Sequence, residues 1–447
     1  MKIIIAGAGE VGRHLAKLLA KENHDIILMD EDQESLDIVG QNLDILTYLG
    51  QPSSISALRE VGIASVDLFI GVTPNENLNM TCCMLAKKLG ARKTVARIDN
   101  TEYTLAENRD FFRSVGIDSL IYPEMLAGQE IVHNLKHSWV RQWWEVQGGQ
   151  LVLLGVKVRQ GADILNKPLR NICGPNDPFH VTAIKRDGDT LMPHGDDVIC
   201  ENDLVFFMTT PEHIDYIRQV SGKEDYPEVR NVFIMGGGLT TIHVTRHLPS
   251  HIHAKVFEPD PHLSAFTRDN IDNPNVMVIN GDARDPDILR EENIEKVEAF
   301  VAATENSESN ILSCLAAHRF GVRKTVSMIE NTDYITMAQS LDIGTILNKK
   351  TFAAGHIYRM MLRADVESVK SLTVAAADVA EFHVKEGSRV TNAMVRDLHL
   401  PGSVNLGGYV RDGRGYLING STRFVPGDVV VAFCLEGEIK KLERYFK

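Results

Sequence analysis

The chain has 447 residues, of which 44% are hydrophobic and 24% are charged, and its formal net charge is −13. A chain of this length is expected to form about two to four domains, each large enough to bury its own core. The acidic balance argues against sequence-independent binding of DNA or RNA, because such binding needs a basic surface. We therefore expect no nucleic-acid partner.

No stretch of the sequence predicts a membrane span or an export signal. Apolar runs stay well below the ~20 residues that cross a bilayer, and the first strand pattern begins at Lys2, so no signal peptide is expected. The six cysteines lack C-x-x-C spacing and lie mostly in apolar segments. They predict reduced core thiols in a cytoplasmic protein without a metal site.

The first third of the chain alternates strand and helix patterns, as a parallel sheet requires. Apolar runs predict strands at Lys2–Ala6, Ile26–Met29, Leu43–Leu49, Leu68–Val72, Thr94–Ile98 and Ile117–Tyr122. Helical spacing fills the gaps, as in Leu78–Leu89, and Glu124–Leu135 predicts a helix that leads out. Short buried strands joined by crossover helices indicate a doubly wound α/β domain.

From Trp143 to about Ser221 the pattern becomes β-rich, with turn residues such as Asp187–Gly188 between apolar runs. Such a pattern predicts a small domain that contains antiparallel strands. Residues 223–228, which are mostly charged and include Pro227, are a candidate linker.

The chain then repeats itself. GVRKTVSMIEN at 321–331 nearly copies GARKTVARIDN at 90–100, and HVTAIKRDGDTLMP and ENDLVFFM are matched by LGGYVRDGRGYLIN and PGDVVVAF. We predict a tandem duplication with two Rossmann-like doubly wound parallel sheets, at 1–139 and 226–364. Each is followed by a small β-rich α+β domain, at 140–225 and 365–447.

The first predicted strand is followed by the pattern G-x-G-x-x-G, formed by Gly7, Gly9 and Gly12. The first glycine permits a tight turn, the second lets backbone approach a pyrophosphate, and the third lets the helix pack closely on the strand. N–H groups at the helix N-terminus then face the phosphates. The candidate binding residues of this turn are Gly7, Ala8, Gly9, Glu10, Val11 and Gly12.

An acidic residue follows the glycine pattern at the spacing that is typical of dinucleotide-binding folds. Asp30 lies 23 residues beyond Gly7, at the end of the second predicted strand. A carboxylate there accepts hydrogen bonds from ribose hydroxyls and repels a 2′-phosphate, which favours NAD(H) over NADP(H). Strand, turn, helix and acid together predict dinucleotide or adenine-nucleotide binding rather than a tight turn alone.

Two further strands of the first unit end in candidate binding residues. Thr73, with Pro74 beside it, ends the fourth strand, and Arg97 ends the fifth. The carboxyl ends of such strands border the ligand crevice. Arg97 could donate charge-assisted hydrogen bonds to a phosphate, and the alternative is an ion pair with Asp99 or another neighbouring acid.

The second copy keeps only part of this pattern. Its candidate binding residues are Gly236, Gly237, Gly238, Leu239, Thr240 and Glu258. Thr241 stands where the third glycine would, and its Cβ should hold the helix further from the strand. Met328 replaces Arg97 and cannot donate to a phosphate. The second copy is therefore either a nucleotide site, for the same or another ligand, or a structural remnant.

A catalytic constellation is not recognisable in the sequence. It contains no H-E-x-x-H, G-x-S-x-G or C-x-x-C motif. His133, His137, His180 and His194 fall in predicted helices or turns, where solvent exposure is expected. We therefore expect no enzymatic activity. All three tryptophans, at 139, 143 and 144, lie near the first domain junction, which favours packing there over a subunit or channel contact.

These features resemble the TrkA family of bacterial Trk potassium uptake, whose members are tandem versions of the regulator of potassium conductance (RCK, or KTN) domain. The resemblance covers essentially the whole chain. It rests on GAGEVG with Asp30, on the paired RKTV segments with their (D/E)N ends, and on the small-domain signature AIKRDGDTLMP…ENDLVFF.

The resemblance implies a cytoplasmic regulator, peripheral on the inner face of the cell membrane. It would dock as a homo-oligomer, with a tetramer expected, on a membrane potassium-conducting subunit of the Trk type. NAD(H) or ATP/ADP would occupy the α/β domains and bias the ring between conformations. The implied contacts are Gly7–Val11, Asp30, Thr73 and Arg97, with Gly236–Thr240 and Glu258 as counterparts. Thr241 and Met328 depart from the family pattern.

Two other functions stay open at this point. One is an NAD-dependent oxidoreductase with duplicated domains, which turnover of NADH would distinguish from a sensor that binds NADH without consuming it. The other keeps the RCK domain family and changes the partner to an antiporter or an efflux system.

Overall fold

The computed structural model describes residues 1–20, 24–174, 177–331, 333–361, 366–372, 377–435 and 438–446. The chain forms two compact units, one of Met1–Ala127 and Asn348–Leu362 and one of Gly128–Leu347 and Arg363–Lys447. The predicted boundary between residues 364 and 365 lies outside the described residues. No helix in these ranges is both long and apolar enough to cross a membrane.

The first unit is built on a parallel sheet. Its strands are β1 Lys2–Ala6, β2 Asp25–Asp30, β3 Leu46–Leu49, β4 Leu68–Gly71, β5 Lys93–Arg97 and β6 Ser119–Ile121. The helices between and after them are α1 Glu10–Ala20, α2 Gln33–Gly40, α3 Ile55–Glu60, α4 Glu76–Lys88, α5 Arg109–Ser114 and α6 Pro123–Lys136. The strand order β3-β2-β1-β4-β5-β6 reverses between β1 and β4, which is where doubly wound sheets bind ligands.

Two strands of this sheet begin later than predicted. The third begins at Leu46, because the Leu43 N–H donates to the Val39 carbonyl oxygen and closes helix α2. The sixth begins at Ser119, because the Ile117 N–H donates to the Phe112 carbonyl oxygen at the end of α5. In both places an apolar residue read as the start of a strand completes the preceding helix.

A five-stranded antiparallel sheet follows. Its elements are β7 Gln142–Val146, β8 Leu151–Lys157, β9 Phe179–Arg186, β10 Asp189–Leu191, β11 Leu204–Thr209 and helix α7 Ile214–Val220. The strand order is β10-β9-β11-β8-β7. Trp139 and Trp143 are buried in the core of this domain, and the ring of His137 is stacked on that of Trp143 with centroids 3.5 Å apart. Trp139 and Trp143 therefore serve packing, as predicted, and Trp144 is half-buried.

The second copy of the α/β domain repeats the topology of the first. Its strands are β12 Asn231–Met235, β13 His253–Phe257, β14 Val276–Ile279, β15 Ala299–Ala302, β16 Lys324–Met328 and β17 Thr345–Leu347. Its helices are α8 Leu239–His247, α9 Pro261–Asp269, α10 Pro286–Glu291, α11 Ser307–Arg319, α12 Asp333–Ser340 and α13 Lys349–Met361. The order β14-β13-β12-β15-β16-β17 matches the first sheet strand for strand.

Helix α13 follows the second parallel sheet in the chain but belongs to the first compact unit. Most of α6 follows the first parallel sheet but belongs to the second compact unit. Helix α13 packs along α1 in the first unit. From Gly128 onward α6 belongs to the second unit, where a Cβ on Gly128 would lie 2.7 Å from the Cβ of His243 on α8. Glycine is needed there because the two helices approach so closely. Helix α8 is consequently buried along its length from Thr240 to Thr245.

The second small domain repeats the first and shares a core with it. Its elements are β18 Val366–Leu372, β19 Ala377–His383, β20 Val404–Arg411, β21 Arg414–Leu417, β22 Val429–Leu435 and helix α14 Ile439–Phe446. The order β18-β19-β22-β20-β21 is that of the first small sheet read from its other edge. Phe206 and Met208 of one sheet form a single buried cluster with Val431 and Phe433 of the other. The predicted fold class is confirmed.

Candidate functional site

The first glycine turn connects β1 to α1. Gly7 has φ +114°, and its N–H donates to the Met29 carbonyl oxygen at 2.9 Å. A Cβ at this position would lie 2.9 Å from the backbone nitrogen of Thr73. Both the dihedral angle and the close approach of the next strand require glycine here. The turn is thereby held against β2 and against the end of β4.

Gly12 determines how closely α1 lies on the turn. A Cβ on Gly12 would be 1.8 Å from the Gly7 carbonyl oxygen, which is far shorter than any non-bonded contact allows. Gly9, in contrast, has nothing within 4 Å of its Cβ position and is exposed, as is Glu10. The N–H groups of a first helical turn have no partner within their helix. The geometry therefore leaves open space above N–H donors, which suits the phosphates of a nucleotide.

The carboxylate of Asp30 stands beside this turn. It accepts hydrogen bonds from the N–H of Ala8 and, at 3.0 Å, from the N–H of Asp32, the N-cap of α2. Asp30 is half-buried at the carboxyl end of β2. Two backbone bonds thus fix the carboxylate at the rim of the crevice, where ribose hydroxyls are bound in doubly wound folds.

The side chain of Asn79 joins the ends of β4 and β5, and our reading of the sequence missed it. Its Oδ1 accepts from the hydroxyl of Thr73 at 2.7 Å, and its Nδ2 donates to the carbonyl oxygens of Thr73 and Arg97 at 2.9 and 3.0 Å. The second copy contains the same network around Asn310, whose Nδ2 donates to Thr304 and Met328. The repeated pattern T-x-N-x-x-x-N could have revealed it.

Arg97 forms an ion pair with a nearby acid, which was the alternative to phosphate binding, but the acid is not Asp99. Its NH2 lies 3.7 Å from Oε1 of Glu124, at the start of α6, rather than against Asp99. Lys349 of α13 lies 3.6 Å from the same oxygen. Glu124 is only 9% exposed, so this carboxylate joins two cations in a mostly buried place. Arg97 is thereby held at the end of β5, near the crevice.

Lys350, like Lys349 a residue of α13, contacts the first glycine turn. Its ammonium pairs with Glu10, the first residue of α1. The Lys350 side chain is 9% exposed, and burial lowers its pKa to about 8. Sequence reasoning missed this contact, because no local pattern indicates that a helix from residues 349–361 lies against one from residues 10–20.

The second glycine turn has the same backbone path with more of its polar groups engaged. Gly236 has φ +102°, and the Thr241 hydroxyl donates to its carbonyl oxygen at 2.6 Å. Glu258 accepts from the N–H of Gly237 at 2.8 Å and from that of Asp260 at 3.0 Å. The second turn therefore accommodates a side chain at Thr241, whereas the first leaves no room for one at Gly12.

The second turn is also less accessible than the first. The Thr267 hydroxyl donates to the Gly237 carbonyl oxygen, and a Cβ on Gly237 would lie 2.6 Å from that hydroxyl. Gly238 and Leu239 are half-buried, Thr240 is 6% exposed and Glu258 is 6% exposed. The predicted residues do gather at one turn, but they are mostly enclosed by protein.

The small domains contain a repeated arginine–aspartate pair. Nε and NH2 of Arg186 donate to the two carboxylate oxygens of Asp203 at 2.9 and 2.7 Å, and Arg411 and Asp428 form the same pair at 2.7 and 2.8 Å. Both aspartate side chains are at most 1% exposed. Hydrogen bonding to these aspartates raises the pKa of each arginine. In the first small domain the pair therefore joins the β9–β10 hairpin, which carries R-D-G, to the start of β11, which N-D precedes. In the second it joins the β20–β21 hairpin to the start of β22, which G-D precedes.

The histidine prediction was wrong for three of the four residues. His133 and His137 are half-buried near Trp143, and burial together with neighbouring cationic groups lowers the pKa of His137 to about 3. His180 lies in β9, half-buried, with Nε2 3.2 Å from Oδ1 of Asn405. His194 is exposed. These residues become buried because other elements cover them, which the local sequence does not encode.

The cysteines are thiols in or near the cores. Cys82, Cys83, Cys314 and Cys434 are buried, and burial raises the pKa of Cys82 and of Cys314 to about 12. In the described residues, no three His, Cys, Asp or Glu side chains are grouped so that they could hold a metal ion.

The fold and its two glycine turns define a protein with duplicated Rossmann-like domains, each carrying a small antiparallel domain. The model of the TrkA-N domain matches residues 3–123 and 232–349, and that of the TrkA-C domain matches residues 153–222 and 379–447. The chain belongs to the TrkA family. It is 30% identical to the Trk system potassium uptake protein TrkA of Halomonas elongata, over 100% of this chain and 99% of the relative. It is 27% identical to a TrkA homolog of Archaeoglobus fulgidus over the full length of both.

Solved structures share the fold. The RCK domain of GsuK aligns with 100% of this chain and 94% of its own length, with a TM-score of 0.58 and 15% identity. The GsuK channel bound to NAD aligns with 100% of this chain and 78% of its own length, with a TM-score of 0.59 and 14% identity. At this identity the similarity is one of fold.

Proposed function

We propose that this chain is a nucleotide-sensing regulatory subunit of a potassium uptake system, which binds NAD(H) and gates a membrane potassium-conducting partner of the Trk type. The names of its full-length relatives support a role in Trk potassium uptake. A fold shared with a channel solved with NAD supports the ligand. The protein would act as a homo-oligomer, with a tetramer expected, on the cytoplasmic face of the membrane.

The observation that carries the proposal is the open first glycine turn beside a fixed carboxylate. Space lies above Gly9, and Asp30 is held at the crevice rim by two backbone N–H groups. Bound NAD(H) or ATP/ADP would place its phosphates at Gly7–Gly12 and its ribose at Asp30, with Thr73, Pro74 and Arg97 bordering the crevice. Such a ligand supplies phosphates and a ribose to be recognised, and these residues bind and orient them.

The second turn is proposed to serve a different role. Its residues Gly236–Thr240 and Glu258 keep the backbone path, yet their polar groups are largely satisfied within the protein. The Glu258 bonds match those of Asp30, but the bonds from the Thr241 and Thr267 hydroxyls have no counterpart in the first turn. We therefore assign the higher affinity to the first site.

A regulator of this kind needs no reacting group beside the nucleotide. It needs a ligand that binds two states of the protein with different affinity, since only that difference shifts an equilibrium. We propose that the chain binds NADH without transferring its hydride, and that the oxidoreductase alternative is incorrect. NADH absorbance should stay constant in the presence of the protein and a panel of carbonyl compounds.

The proposal is tested by calorimetric titration of NADH into the wild-type chain and two variants. Asp30→Ala should weaken binding tenfold or more, because the ribose hydrogen bonds are lost. Asp25→Ala, at the exposed start of the same strand, is the matched control and should leave the affinity unchanged. Equal affinity of wild type and Asp30→Ala would reject the ribose assignment, and the absence of NADH binding by wild type would reject the sensor.

A further inference from the structure

A cavity lies in the second compact unit, and its lining includes no residue of either glycine turn. Its volume is about 580 Å³, within the range of small-molecule sites. One wall comes from the first small domain, and the other comes from the end of α12 and the start of β17. The polar lining residues that matter here are Arg141, Lys157, Arg159, Lys185, Gln339 and Asp342.

The cavity and the second glycine turn lie at opposite ends of the strands of the same sheet. Residues 341–344 lead into β17, so the cavity lies at the amino end of the strands. Gly236 follows β12 and lies at the carboxyl end. All strands of this sheet are parallel, so a ligand in the cavity cannot be the nucleotide of that turn.

The lining is strongly cationic in a chain whose net charge is −13. Four basic side chains face two acids, Asp187 and Asp342. Asp342 is already shared, because Arg141 lies 3.2 Å from its Oδ1 and Arg159 contacts its Oδ2. Burial opposes ionisation of Asp342, but Arg141 and Arg159 hold its pKa below the ordinary value. Lys157 also interacts with Asp342 and with Asp203, and Lys185 interacts with Asp189. The lining itself still holds four cations and two acids.

The lysines extend the cationic wall. Lys157 ends β8, and Lys185 lies on β9 and donates to Oε1 of Gln339 at 3.0 Å across the cavity. Both are half-buried, and desolvation lowers the pKa of each below its usual value. Concentrating cations in a partly desolvated place is costly unless an anion compensates them. The negative end of α12 offsets only part of that cost.

We propose that this cavity is a binding site for a phosphate-bearing small anion. Arginine and lysine side chains donate short charge-assisted hydrogen bonds to phosphate oxygens, and the amide of Gln339 with the hydroxyl of Thr336 adds neutral donors from the opposite wall. The bound anion would tie the first small domain to the second α/β domain. Its binding would therefore stabilise that junction independently of the nucleotide at the first glycine turn.

The experiment is a calorimetric titration of inorganic pyrophosphate into the full chain at low salt. Wild type should bind, and the double variant Lys157→Gln/Lys185→Gln should bind at least tenfold more weakly. Lys167→Gln, an exposed lysine of the same small domain, is the control and should bind as wild type does. Thermal unfolding of each variant without pyrophosphate establishes that it is folded.

A second measurement separates a binding site from a structural cluster of charges. Hydrogen exchange of segment 336–346 should slow when pyrophosphate is added to wild type, and the double variant should not respond. Failure of wild type to bind pyrophosphate, or equal affinity of wild type and the double variant, would overturn the proposal. Neither result would affect NADH binding by Asp30, so the two proposals fail separately.

Discussion

The two glycine turns share a backbone and differ in what their side chains leave available. In the first, glycine stands at position 12, and Gly9 and Glu10 are exposed. In the second, the hydroxyls of Thr241 and Thr267 bond to the carbonyl oxygens of the turn, and Thr240 is buried. The duplicated scaffold is kept while the groups that would face a ligand are changed.

Both copies keep the hydrogen bonds that connect neighbouring elements of the parallel sheet. The amides of Asn79 and Asn310 connect the ends of the fourth and fifth strands in the same way, and the thiols of Cys83 and Cys314 donate to matching carbonyl oxygens on the fifth strand. Such contacts hold a sheet together whatever ligand it binds. The copies can therefore diverge in ligand recognition without losing the fold.

The most disruptive way to test this comparison is to exchange the residue at the helix packing position. Gly12→Thr puts a Cβ 1.8 Å from a backbone oxygen, and α1 must move away from the turn. We expect a loss of about 3 kcal/mol of unfolding free energy, together with loss of NADH binding. Denaturant titration of the variant and calorimetry with NADH measure the two effects.

The reverse exchange is the control. Thr241→Gly removes one hydroxyl hydrogen bond and adds glycine to a helix, for about 1–2 kcal/mol. A Gly12→Thr variant as stable as wild type would show that the first helix is not constrained by close packing on its turn.

A smaller effect is expected from the two lysines of the repeated RKTV segment. Lys324 is buried, and its ammonium donates to Asn134 Oδ1, the Val140 carbonyl oxygen and Thr345 Oγ1, whereas Lys93 is exposed. Lys324→Met should lower the unfolding free energy by about 2 kcal/mol, because these acceptors lose their donor.

Lys93→Met is its matched control, and it should change stability by less than about 0.5 kcal/mol. Thermal unfolding of both variants tests the difference. Equal losses of stability in the two variants would mean that the buried hydrogen bonds of Lys324 do not stabilise the protein.

Changing Arg97 sharpens the comparison at the ligand itself. Arg97→Met copies the second repeat, and we expect tenfold weaker binding of ADP at the first site, which corresponds to about 1.4 kcal/mol. Arg59→Met, which alters an exposed arginine of the same unit, should have no effect. If ADP bound equally tightly to the Arg97 variant, Arg97 would serve only the ion pair with Glu124.

The smallest expected effect concerns acid stability at the first small domain. The pKa of His137 is lowered to about 3, so the folded protein keeps it neutral while the unfolded chain takes up a proton below its ordinary value of 6.5. Stability from this residue is therefore complete above pH 6.5 and declines toward pH 3. His137→Phe should reduce the loss between pH 6 and pH 5 by about 1 kcal/mol.

That pH test compares denaturation midpoints of wild type, His137→Phe and His194→Gln, the last altering an exposed histidine. A pH profile that is the same for wild type and His137→Phe would contradict the assignment. Phenylalanine preserves stacking on Trp143, so a loss of packing should not obscure the result.

Much of the candidate site was predictable because it depends on short-range patterns. Gly7 must follow a strand and precede a helix, and Asp30 must end the next strand, and both relations are local. The contacts of Arg97 with Glu124, and of Lys350 with Glu10, join residues far apart in the chain. They arise from which elements pack together.

The sequence by itself determined the duplication, the alternation of strands and helices within each α/β domain and the positions of the two turns, because periodicity and glycine constraints act within about one strand–helix unit. Only the tertiary structure decided that α13 packs along α1, that Lys324 is buried while Lys93 is exposed, and that four cations of one small domain face the end of α12. Burial and electrostatic environment are set by neighbours distant in sequence, and identical segments acquire different properties when different elements cover them.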